Sequence, residues 1–182
     1  MTKIALVATA AALMGSVTLQ AADENAPARD QHGQLTRKDY KFAREAAQGG
    51  LLEVKLGELA KQKASNPAVQ QFAQKMISDH QKANEQLQKI ATQKGATIPT
   101  ELTHREEAQL EHLQKLTGAD FDKAYADRMV KDHKKDVKEF QDAAKNAEDA
   151  DLKNFASTTL PTLQEHEKMA EQMESSVKQV QP

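Results

Sequence analysis

The chain has no cysteine and no tryptophan, and only 4% of its 182 residues are aromatic. The lack of cysteine excludes disulfides, thiolate metal sites, thiol catalysis and the lipid-modified cysteine of a lipoprotein. Glycine and proline are few, at 7 and 5, and no glycine-rich phosphate loop is legible. A basic excess is missing too. The formal net charge is −2, a weakly acidic balance with no patch suited to nucleic acid. Beyond the first twenty residues no long hydrophobic run appears, so no later segment reads as a membrane span. What is abundant is Ala, Gln, Lys, Glu and Leu, the composition of a helical protein. The length allows one well-buried domain held by its core alone.

The N-terminus reads as a secretory signal over residues 1–21. Lys3 supplies the positive start, Ile4 to Val17 the apolar stretch, and Ala21 and Ala22 a small-residue cleavage point. The expected destination is the bacterial periplasm, with outer-membrane association as a variant. Residues 22–35 are polar and broken by Pro and Gly, a flexible linker by composition. The folded unit is expected over 36–180.

Within that unit the pattern Met-[Ile/Val]-x-Asp-His occurs twice, as Met76 to His80 and again 53 residues later as Met129 to His133. Each copy lies in a long stretch of helical periodicity. The first helix is expected from about Arg37 to Lys63, with Thr36 as N-cap and Asp39 at the third helical position. Its stripe runs through Phe42, Ala46, Gly49/Gly50, Glu53, Leu56 and Ala60. Two adjacent mid-helix glycines cost about 1 kcal/mol each relative to Ala, which predicts a close helix contact or a kink. Asn66-Pro67 restarts the chain as cap and first helical residue, and the second helix runs to about Lys94 before Gly95. A short helix between Thr103 and Gly118 opens on a Thr103/Glu106 capping box. The third long helix begins near Asp120, and the fourth follows the turn at Glu148-Asp149. Pro161 is expected to kink that last helix one turn before His166. Four long amphipathic helices with two short turns predict an all-α four-helix bundle rather than an extended coiled coil.

Counting from the turns at about 1.5 Å per residue puts Glu53, His80, His133 and His166 near one height, one polar residue from each long helix. Two readings compete for this layer. One is a hydrogen-bond network that fixes helix register, with Asp79 and Asp132 orienting the imidazoles. The other is a metal site with Glu53, His80, His133 and His166 as ligands and the two aspartates as outer partners, suited to zinc, iron or copper. Met76 and Met129, each four residues before a histidine, would shift the preference toward cuprous copper. At helical spacing, however, methionine is more often core filler. His32, His104 and His112 read as solvated surface residues. The run Lys131 to Lys138 alternates with acids and reads as a wetted helix face.

The stretches Phe42-Ala43, Glu53-Val54-x-Leu56-Gly57-x-Leu59-Ala60, Phe72-Ala73-x-x-Met76-Ile77-x-Asp79-His80, Phe121-Asp122-x-x-Tyr125, Met129-Val130-x-Asp132-His133 and Leu160-Pro161-x-Leu163-x-x-His166 resemble the bacterial domain-of-unknown-function family numbered 4142. That family is often labelled an outer membrane protein and placed in the ferritin-like superfamily. The resemblance implies an up-down-down-up bundle with the connector and its short helix crossing the length. Spacing alone leaves this topology open. It does not imply an activity. A di-iron carboxylate site needs Glu-x-x-His on two helices, yet Ile77, Val130 and Leu163 stand three before the histidines, and the only such motif is Glu101 to His104 in the connector. No nucleophile-base pairing is legible either. Two functions are therefore expected to compete. One is an exported bundle holding a metal at a central Glu/His layer. The other is a metal-free structural or stress-associated envelope protein acting on a homo-oligomeric or envelope partner.

Overall fold

The structure, a computed structural model, describes residues 31–179; the expected signal segment and residues 22–30 of the expected linker lie outside it. Among the described residues there are five α-helices and no strand: α1 (Arg37–Lys63), α2 (Pro67–Gln93), α3 (His104–Gln114), α4 (Gly118–Asn146) and α5 (Ala150–Gln179). None is long and apolar enough to cross a membrane.

Local chemistry sets the boundaries. Thr36 accepts the Asp39 amide at 3.2 Å and Asn66 the Ala68 amide at 2.9 Å, with Pro67 opening α2. Gly95, at φ +66°, ends α2 in a Schellman turn, Ala96 N donating to Ala91 O at 2.9 Å and Gly95 N to Thr92 O at 3.0 Å. Thr103 and Glu106 form the expected capping box on α3. The expected Pro161 kink is not a break, because α5 stays helical from end to end. Pro161 and Ser157 are both exposed, so the carbonyl that loses its donor lies on the wet side of the helix.

Helices α1 and α2 pack as one hairpin and α4 and α5 as another; α2 then meets α5 and α1 meets α4, while α3 touches α1 and α4. The hairpins close on each other's turns. Asp39, near the start of α1, accepts from Glu148 N at 3.1 Å and Asp149 N at 2.7 Å in the α4–α5 turn. Asp122, near the start of α4, accepts from Asn66 N at 2.9 Å, Ser65 N at 3.2 Å and Ser65 Oγ at 2.5 Å in the α1–α2 turn. Asp39 was expected to serve its own helix end; its carboxylate works across the bundle instead. These bonds place the start of α4 beside the α1–α2 turn and the start of α1 beside the α4–α5 turn.

The glycine pair divides. A Cβ at Gly50 would run into the Asn84 amide, the close contact expected, whereas Gly49 has nothing within 4 Å. Gly57 is a second close approach, with Ile77 Cγ1 at 2.9 Å and Ala73 O at 3.2 Å from where its Cβ would stand. Residues 31–35, the last of the expected linker, are held: Gln34 N donates to Lys94 O at 2.8 Å, Thr97 N to Gln31 O at 2.9 Å, and Leu35 is buried. His32, expected in solvent, is half-buried against Tyr40 with ring centroids 4.4 Å apart.

The apolar core falls into two clusters. One gathers Leu87, Ile90, Phe140, Leu152 and Phe155; the other gathers Leu56, Phe72, Met76, Phe121, Tyr125 and Met129. Burying each such side chain contributes about 1.5–3 kcal/mol. Between the clusters lie the polar residues of the expected layer.

Candidate metal centre

Glu53, His80, His133 and His166 are 2%, 6%, 0% and 1% exposed, one from each long helix. A polar side chain inside a bundle must find partners, since leaving one unmade costs about 1–3 kcal/mol. His133 and His166 each make one hydrogen bond, and His80 makes an ion-pair contact. His80 Nδ1 lies 3.0 Å from Glu53 Oε2. His133 Nδ1 lies 2.9 Å from the Met129 carbonyl one turn back on its own helix. His166 Nε2 lies 3.0 Å from Asp79 Oδ2 across the α2–α5 interface. The Met129 carbonyl and the Asp79 carboxylate only accept, so in uncharged rings His133 Nδ1 and His166 Nε2 carry the proton.

The other ring nitrogens of His133 and His166 are then bare lone pairs. Among the described residues five buried side-chain polar atoms lack a partner, and four are His80 Nε2, His133 Nε2, His166 Nδ1 and Glu53 Oε1. The three imidazoles bring ligand atoms within 4.8 Å of one another. Their ring centroids stand 5.4 to 5.8 Å apart. Glu53 Oε1 is 3.6 Å from His133 Nε2, too long for a good hydrogen bond. Buried imidazole nitrogens without a hydrogen-bond partner, gathered this closely, are the donor atoms a metal cation takes.

The electrostatics agree. Burial pushes the Glu53 carboxyl up to about 7, partly offset by His133, and it pushes His80 down to about 3 and His166 down to about 4, the latter against the pull of Asp79. The His80–Glu53 contact therefore has the spacing of an ion pair, but burial disfavours the charge on both partners. Burial alone would raise Asp79, yet the hydrogen bonds from His166 and Lys75 outweigh it and hold it low. Lys75 Nζ stands 3.1 Å from Asp79 Oδ2.

The three histidines are thus brought together, and Glu53 lies beside them, one oxygen against His80 and the other 3.6 Å from His133 Nε2. Asp79 does act on an imidazole, but on His166 rather than its neighbour His80. Asp132 does not; it pairs with Arg128, whose guanidinium also donates to Gln109 Oε1 at 3.0 Å. Met76 and Met129 are buried in the apolar cluster, and Met129 contributes its carbonyl. His104 and His112 are exposed as expected. Two polar groups escaped the sequence reading. Tyr125 Oη is the fifth unpartnered atom, its phenol pushed up by burial and by Glu53. Asp136 is half-buried beside Glu53, its carboxyl pushed well up by burial and by the Glu53 charge. A signal for it existed: Asp39 and Glu53 in α1 recur 83 residues on as Asp122 and Asp136 in α4.

A cavity of about 30 Å³ adjoins the layer, lined by Glu53, Asp79, His80, Asp136, Thr159 and His166 among others, room for a water or two.

Among solved structures the chain is similar to a crystal structure of a DUF305 fragment from Deinococcus radiodurans, with a TM-score of 0.67 and 13% identity over 80% of this chain and 99% of that one. At that identity the likeness is one of fold alone, a helical bundle. No curated protein matches the chain. Residues 24–173 match the family described as Domain of unknown function (DUF4142), and the chain belongs to that family.

Proposed function

We propose that this is an exported, ferritin-like up-down-down-up bundle protein that binds one divalent transition-metal ion through His80, His133 and His166, with Glu53 Oε1 as fourth donor. One observation carries the reading: three buried imidazoles bring a ligand atom each within 4.8 Å of one another, and one nitrogen of each ring has no hydrogen-bond partner. Three imidazoles and a carboxylate suit zinc, with copper and iron as competitors. The clamps from Asp39 and Asp122 support the helix directions. The signal-like composition of residues 1–21 supports export to the periplasm.

Elemental analysis of the purified protein, after supply of zinc, copper or iron, tests this. About one ion per chain is expected, lost in His80→Ala and His133→Ala. Background stoichiometry with all three metals refutes it. The chain Lys75–Asp79–His166 favours the second reading, a metal-free envelope protein whose polar layer fixes helix register and which acts through contacts with an envelope partner or a second copy.

A further inference from the structure

A buried site needs a way in. The surface groove between α1, α3 and α4 measures about 530 Å³. It shares three residues with the interior cavity beside the histidines: Gly49, Glu53 and Asp136. Most charged side chains on its rim have partners, Arg105 and Lys131 excepted. Arg128 pairs with Asp132, Lys135 with Glu139, Lys41 with Glu45, and Gln48 donates to Glu106. Its inner wall is different. Glu53 Oε1 is buried without a partner, and Asp136 makes no hydrogen bond or ion pair among the described residues. Gly49 leaves open space where any other residue would place a side chain. A second groove, lined by Ala47, Leu51, Gln88 and Ile98, shares only Asn84 with the cavity, and that amide is pressed against Gly50.

We propose that the α1–α3–α4 groove is the route by which a divalent cation reaches the histidines, and that Asp136 is the carboxylate that receives the ion on the way, with Gly49 keeping the passage open. The inference rests on the metal reading above. A carboxylate without a partner at the inner end of the groove, next to Glu53, gives a hydrated cation a station on the way in. From there Glu53 Oε1 leads to the bare nitrogens.

The test is the rate at which cobalt(II), added as the chloride, enters the metal-free protein, followed by visible absorption. The variants are Gly49→Leu, which puts a side chain into the passage, and Asp136→Asn, which keeps the shape and removes the ionisable carboxyl. Leucine is also the better helix former, so a folding defect is not the expected outcome. Both variants should load at least about tenfold more slowly than the parent, and both should reach the parent's final stoichiometry. A parental rate in either variant overturns the proposal while leaving the metal site standing. A parent protein that takes up no cobalt, zinc or copper overturns both.

Discussion

Asp79 accepts from His166 rather than from its sequence neighbour His80, a contact of 3.0 Å between residues 87 positions apart. This links the two hairpins at the height of the polar layer and fixes which His166 nitrogen is free. Asp132 occupies the matching place in the second Asp-His pair, yet turns away to Arg128. The repeat in the sequence is therefore not a repeat in role.

That asymmetry gives the first prediction. Asp79→Ala should weaken metal affinity by about 10- to 100-fold, the usual effect of removing the group that orients a ligating imidazole. Asp132→Ala should leave it within about twofold of the parent by the same reasoning. Competition against a chromophoric chelator reads both, and equal losses in the two variants would contradict the assignment.

A second prediction concerns pH. His80 and His166 are pushed down from 6.5 to about 3 and about 4, so they contribute stability that is complete above 6.5 and lost as pH falls toward those values. Glu53, raised from 4.5 to about 7, acts in the opposite sense: its contribution is complete below 4.5 and lost as pH rises through 7. Asp136 adds to the Glu53 side. The metal-free protein should thus lose stability steeply below pH 4.5 and change less between 4.5 and 6.5, where the effects oppose. Glu53→Gln should match the parent below pH 4.5 and gain on it progressively up to pH 7. Thermal melts across pH 3.5 to 8 measure this, and a pH-independent offset between the two proteins would show that Glu53 is not held neutral by burial.

The turn clamps supply a third. Asp39 and Asp122 are 1% and 3% exposed, and each satisfies two backbone amides of the opposite hairpin. Replacing either with Ala strands those amides and should cost about 2–4 kcal/mol in urea unfolding. A loss under about half a kcal/mol would mean that water takes the carboxylate's place.

The glycines supply the fourth. Gly49→Ala should stabilise the protein by about 1 kcal/mol, since a helical glycine with free space around it costs that much. Gly57→Ala should destabilise it by about 1–3 kcal/mol, because its new methyl meets the Ala73 carbonyl and Ile77. The same denaturation curves decide both signs.

Much of this was legible beforehand. Caps at Thr36, Asn66 and Thr103, the Gly95 stop and the apolar stripes depend on neighbours three or four residues away, which the sequence displays directly. The mid-height layer was legible because turns fix where counting starts. What hid were contacts between elements. Asp39 looks like a local cap because nothing in its surroundings mentions Glu148. Asp136 sits in a run of alternating charges and looks wet, and only its position relative to Glu53 shows otherwise. Which aspartate steers which imidazole depends on the helix opposite, not on the residue adjacent.

The two reciprocal clamps carry one further consequence. Neither hairpin can finish its own bend: the α1–α2 turn is completed by a carboxylate from α4, and the α4–α5 turn by one from α1. Halves severed in the connector would each be left with an open end and half of the polar layer, and would regain closure only in each other's company. The bundle is a mutual lock rather than two stacked units, and His80 can meet the other two imidazoles only once it has shut.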